Sequence, residues 1–151
     1  MRLIEAACAG FLIAVLWMDL IFDVQVLPHR RADELPEPVL ASIAGYYRRA
    51  TTTSRPMSHL IAVVMVVLLG YLAFRAFRGF DPGWLFAVFA VLAGVPMLLA
   101  LVRTVPNAVA LGSRVGTPGE QSRLARAICR DHIVCLAFMT TFLVLWVLVA
   151  A

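Results

Sequence analysis

Four long apolar runs limit this chain more than any other feature. They define spans over residues 3–27, 57–77, 84–109 and 120–150, the last beginning amphipathic and becoming apolar near Asp131. At ~1.5 Å per residue, a helix of about 20 residues crosses a hydrocarbon core of ~30 Å. The chain has 151 residues, 62% of them hydrophobic, and a mean hydropathy of +0.90. Soluble domains lie nearer half apolar. The expected fold is therefore all-α: a polytopic membrane four-helix bundle forming one domain over 1–151, with no separate soluble module.

The first run could pass for a signal peptide, with Arg2 ahead of an apolar stretch. It continues to Leu27, carries Asp19 and Asp23, and shows no small-residue cleavage site, so it reads as a retained helix. Pro28 is expected to end it. In the connection that follows, "PEPVLASIAGYYRRA" predicts a short amphipathic helix over 36–50. Its Val39, Leu40, Ile43, Tyr46 and Tyr47 share a broad apolar face, and the tyrosines suit a membrane interface. "TTTSRP" reads as the polar-capped start of the second span, and "RGFDPG" as a tight turn. Gly94 and Pro96 allow the third span to bend or pack closely. Thr117 or Ser113 is expected to cap the fourth, with Pro118 in its first turn.

All 13 basic residues are arginine. Arginine suits phosphate and headgroup contacts, but ordinary interfacial arginines in a GC-rich gene explain them as well. The net charge of +4 comes without a basic run interleaved with aromatics in a soluble element, so nucleic acid is not an expected partner. Four spans put both termini on one side. Arg2, Arg75 and Arg78 then fall on the terminal side, and the other ten arginines fall on the side of the two long connections. The positive-inside rule places those connections in the cytoplasm and both termini outside, in a bacterial-type inner membrane.

Ionisable residues inside spans are costly and face a bundle interior or a watery cavity. Asp19 and Asp23 share one face of the first span, being four residues apart. His59 lies in the first turn of the second span, Arg103 and Asn107 near the end of the third, and Arg130, Asp131 and His132 where the fourth enters the membrane. All of them converge on the loop side. In a structural reading, Asp19 and Asp23 pair with Arg103 and Arg130 and pin the helices. In a functional reading, the same groups line a pocket. His132, with Asp131, is then the acid/base candidate, and Asp19 and Asp23 accept protons. Arg103, Asn107, Arg130, His59 and Tyr47 hold the ligand.

Cys129, His132 and Cys135 form C-x2-H-x2-C, a set of metal-ligand types. On one helix, however, the two cysteines differ by about 120° around the axis and by roughly 9 Å along it. They can neither converge on one ion with His132 nor form a disulfide. A metal would better use His132 with Asp19, Asp23 or His59, but no Glu-x-x-His pattern supports one. Haem through His132 or His59 is an alternative the spacing does not favour. Arg126 and Arg130 flank Cys129 and could activate its thiol, although cysteine more often packs as a small apolar residue.

The order of features resembles a small four-helix membrane family that includes anthrone oxygenases. The residues that carry this are "YYRRATTTSRPM" before the second span, "VPNAVALG" after the third, with Pro106 and Asn107 adjacent instead of spaced, and "RAICRDHIVC" opening the fourth. The pair Asp19 and Asp23 in "WMDLIFDVQV" is not part of that pattern. The resemblance implies a cytoplasm-facing pocket for a hydrophobic, aromatic or quinone-like compound, and an oxygenase-like or other oxidoreductase activity. The expected partners are thus membrane lipids and a lipophilic small molecule. The alternatives are a non-enzymatic subunit, packed against itself or other membrane proteins, and a small proton-coupled carrier.

Overall fold

The computed structural model describes residues 2–53 and 55–150; these are almost all helical, with no strand among the described residues. Helix α1 (Arg2–Asp23) runs into a 3-10 segment, Val24–His29. Helix α2 (Glu37–Arg48) continues into a π-helical turn, Arg49–Thr53, and α3 follows over Arg55–Phe77. Helix α4 (Gly83–Leu99) passes through a second π-helical turn, Ala100–Thr104, into α5 (Val105–Gly112). Helix α6 spans Pro118–Ala150.

Four helical stretches are long and apolar enough to cross a membrane: Leu3–His29, Pro56–Phe77, Gly83–Gly112 and Pro118–Val149. Their outward faces carry Val66, Leu98, Val102 and Leu148, all exposed. Exposed apolar surface on this scale is what a membrane protein presents to lipid. Helix α6 packs on α1, α4 and α5, while α3 packs on α1 and α4. Between them lies a core of Ala9, Leu68, Ala93 and Met139 with a cluster of three aromatic rings. Phe89 meets Phe142 and Trp146 edge-on at 5.2 and 4.7 Å, and those two rings stack on each other.

The first turn of α1, the α3–α4 connection and the last turns of α6 meet at one end. There Arg75 donates two hydrogen bonds to Asp81, at 2.8 and 2.7 Å, and its guanidinium lies 5.2 Å from the Trp146 ring. Glu5 is buried beside it, with Oε1 4.0 Å from Arg75 Nε.

At the opposite, loop end a second core joins α2 to α5 and α6 through Leu40, Ile43, Tyr47, Leu111 and Ile128. Gly112 makes this crossing close: a Cβ there would lie 2.9 Å from the Arg48 amide nitrogen. The first connection is tied to α6. Arg126 donates to the carbonyls of His29, Ala32 and Asp33, and the Ser122 hydroxyl accepts from the Leu35 amide at 2.9 Å. Thr117 caps α6. Its hydroxyl accepts from the Glu120 amide, and the Glu120 carboxylate accepts from the Thr117 amide, a reciprocal capping box.

Three boundaries differ from the sequence reading. The α-helix of the first span stops at Asp23, and Pro28 sits inside the 3-10 segment instead of ending the span. The third span extends to Gly112 through the π turn. This widening precedes Pro106, whose ring would otherwise meet the carbonyl four residues back. "TTT" is a π turn, not a simple cap; the Thr51 and Thr52 hydroxyls bond the carbonyls of Tyr47 and Arg48 and compete with the backbone amides for them. Ser54, in the same expected capping stretch, lies outside the described residues.

Candidate functional site

Five side chains from three helices meet at the loop end in two adjoining hydrogen-bonded groups, Tyr46 with Asp19 and Tyr47 with Asp23 and His132. Helix α1 supplies Asp19 and Asp23, α2 supplies Tyr46 and Tyr47, and α6 supplies His132. Tyr46 donates to Asp19 Oδ1 at 2.5 Å, and its ring stacks on Phe22 at 4.1 Å. Tyr47 donates to Asp23 Oδ1 at 2.7 Å. His132 Nδ1 lies 2.6 Å from Asp23 Oδ2, so the carboxylate accepts and Nδ1 carries the proton. The other ring nitrogen, Nε2, is 3.8 Å from Asp19 Oδ2, which is too long for a hydrogen bond.

Asp23, Tyr47 and His132 are all buried. A carboxylate taken out of water is costly unless its oxygens are satisfied. Here each Asp23 oxygen receives one donor. Burial, followed by the negative charges of Asp23 and Asp19, pushes the Tyr47 hydroxyl well above the ordinary tyrosine range. Tyr46 rises for the same primary reason, with the Asp19 hydrogen bond next. Both remain neutral phenols, and so donors, throughout the physiological range.

Asp19, Tyr46, Tyr47 and His132 line one side of a cavity of about 720 Å³, with Asp23 behind them. Its remaining lining is mainly apolar: Ala14, Val15 and Met18 from α1, Met57 and Ile61 from α3, and Val105, Ala108 and Val109 from α5. Both π turns reach it, through Arg49 to Thr51 and through Thr104. Such turns widen the backbone locally and recur at functional sites.

The structure divides the expected constellation. Asp19, Asp23, Tyr47 and His132 come together, and the sequence reading missed Tyr46 as a member. Asp131 is not part of the cluster. It precedes His132 by one residue, a step of about 100° around the helix, and it pairs with Arg103 Nε at 3.1 Å. Arg130 Nε approaches the same carboxylate at 3.9 Å, with its side chain largely exposed. The pairing of Asp19 and Asp23 with Arg103 and Arg130 is therefore replaced by Tyr46, Tyr47 and His132. Arg103 and Asn107 line a separate surface hollow of about 560 Å³ with Arg123 and Leu124. His59 is exposed and does not line the larger cavity, so it stands outside the site.

No group of three or more His, Cys, Asp and Glu side chains is arranged to hold a metal ion among the described residues. Cys8, Cys129 and Cys135 are free and buried, and the Cys135 thiol points to the Pro96 carbonyl at 3.8 Å. Arg126 is committed to the first connection's carbonyls. Comparisons with protein-family models, curated proteins and solved structures return no match.

Proposed function

We propose that the chain is an integral membrane protein that binds a lipophilic small molecule in the loop-end cavity and exchanges a proton with its polar head through His132. The observation that carries this reading is the seat of His132. Asp23 orients the ring through Nδ1, and Nε2 is left facing Asp19 on the wall of a mainly apolar cavity. A carboxylate behind a histidine fixes its tautomer and stabilises the imidazolium that forms when Nε2 takes a proton. Apolar walls supply affinity for a lipophilic body, and a few polar groups orient it.

By the arginine distribution, the loop end faces the cytoplasm of a bacterial cell and α2 lies along the interface. The oxidoreductase chemistry implied by the family resemblance would begin with loss of a hydroxyl proton to His132. A carrier needs a continuous row of polar groups through the membrane, yet between Asp19 and the buried Glu5–Arg75 pair at the far end the core holds Ala9, Leu12, Met139 and Phe142.

The test is binding of 1-naphthol to the protein in lipid nanodiscs, followed by its fluorescence. Saturable binding is expected, weakened at least tenfold by His132→Gln and by Asp19→Asn. Binding that is absent, or unchanged in both variants, sinks the reading.

A further inference from the structure

The cavity is graded from back to front. Tyr47 and His132, at the back, are 4% and 7% exposed. Met18, Met57, Val105 and Val109, at the front, are 54%, 49%, 52% and 50% exposed. These four lie on α1, α3 and α5, within stretches apolar enough to sit in a membrane. The side towards the connections is different: Tyr46 and the π turn from Arg49 to Thr51 line the cavity there.

Helix α3 explains the opening. Its buried apolar residues, Leu68 and Leu72, belong to the half nearer the terminal end. At the loop end Met57, Ser58 and Leu60 are exposed and Ile61 is only partly buried. The first turns of α3 are tied to the π turn, where Ser58 donates to the Ala50 carbonyl at 3.3 Å, but they present an exposed apolar edge beside the cavity. Two of the rim residues are methionines, whose flexible side chains adapt to varied apolar shapes.

The back wall selects the head. Asp19 Oδ1 is occupied by Tyr46, but Oδ2 faces the cavity 3.8 Å from His132 Nε2. With its proton on Nδ1, neutral His132 presents Nε2 as an acceptor. Two neighbouring acceptors call for a donor. An anionic head would meet the Asp19 charge with Asp23 behind it, while the cation of the lining, Arg49, is exposed at the rim. Asp19 lies ten residues before His29, ~18 Å along the α and 3-10 segments, a depth at which an unpaired ligand charge is also costly.

We infer that this cavity loads sideways from the bilayer, and that its ligand is a single-chain amphiphile with an uncharged, hydrogen-bond-donating head, seated so that the head meets Asp19 and His132 and the tail leaves between Met18, Met57 and Val109. The inference rests on reading the cavity as a ligand site. A 4-octylphenol bearing a diazirine at the tail end tests it in nanodiscs, with labelled residues mapped by mass spectrometry. Labelling is expected on Met18, Met57, Val105 or Val109. Excess 4-octylphenol should abolish it, and 4-octylbenzoate at the same bilayer concentration should compete at least tenfold less well. Labels on the connections around Arg30 to Glu37 or Ser113 to Gly116 would overturn lateral loading. So would the absence of saturable labelling, and equal competition by the benzoate would overturn the head assignment. If 1-naphthol binds in an Asp19- and His132-dependent way while the octyl probe fails, this inference falls and the ligand site stands. If naphthol also fails, both fall.

Discussion

His132 donates its Nδ1–H to Asp23 across 2.6 Å, joining the loop-end halves of α6 and α1 in a buried pair. The bond has two roles. It satisfies a carboxylate oxygen that has no water to turn to, and it decides which imidazole nitrogen faces the cavity.

Breaking this pair from one side should therefore cost more than removing it. His132→Ala leaves Asp23 buried with Tyr47 as its one donor, and loss of a buried partner typically costs about 3–5 kcal/mol. The double variant Asp23→Leu/His132→Met replaces charge with apolar volume and should recover most of that loss. Thermal melting in detergent, followed by size-exclusion chromatography, measures both. If the double variant is as unstable as His132→Ala, the pair is not the source of the cost.

The two tyrosines predict an alkaline limit. Their hydroxyls are raised above the ordinary value near 10 in the folded protein, chiefly by burial. An acid whose folded pKa is raised holds its proton in the folded state where the unfolded chain would release it. The associated stability is complete below about pH 10 and declines as pH rises beyond it. Among the three tyrosines of the chain, Tyr46 and Tyr47 should show no phenolate absorbance until α2 detaches. Tyr46→Phe/Tyr47→Phe should move that transition to higher pH while lowering stability near neutrality. A smooth, reversible titration of all three tyrosines with the helices intact would contradict this.

Four of the five residues of this cluster were legible in the sequence as members of one site: Asp19, Asp23, Tyr47 and His132. Asp19 and Asp23 share a face by their spacing, and His132 sits at the matching depth of its own span. Tyr46, and the pairing of each tyrosine with its carboxylate, were not legible, because Tyr46 and Tyr47 reach Asp19 and Asp23 only through the angle at which α2 crosses α5. No local pattern encodes that angle. The divergence of Asp131 from His132 could have been read, since neighbouring helical residues point about 100° apart. Pro56 and Pro106 marked where helices would be disturbed, but a proline does not reveal whether the chain will break or widen into a π turn. Gly112, beside "SRVG", reads as a loop glycine; the structure shows it as the contact point of two helices.

That contact gives a controlled pair of substitutions. At Gly112 an added Cβ would lie 2.9 Å from the Arg48 nitrogen and 3.1 Å from its Cα, both backbone atoms that cannot swing aside. Overpacking of this kind costs about 1–3 kcal/mol. At Gly94 nothing lies within 4 Å of the same position, and the helix should gain a few tenths to about 1 kcal/mol from alanine. Gly112→Ala should also weaken 1-naphthol binding, because displacing α2 moves both tyrosines. Equal melting temperatures for the two variants would mean that the α2–α5 crossing is looser than its geometry implies.

The separation of Asp131 from His132 is testable through Arg103. Asp131 is buried, and its nearest cation is Arg103 Nε at 3.1 Å. The Arg103 side chain is 40% exposed, so solvent screens the pair and its loss should cost only about 1–2 kcal/mol. In the pinning scheme drawn from sequence, Arg103 neutralises Asp19 or Asp23, and its removal disturbs the ligand site directly. In the structure Arg103 lines a different hollow from His132. Arg103→Ala should therefore lower the melting temperature modestly and leave 1-naphthol affinity within about twofold of the parent, a change of ~0.4 kcal/mol. A tenfold loss of affinity without loss of stability would return Arg103 to the His132 site.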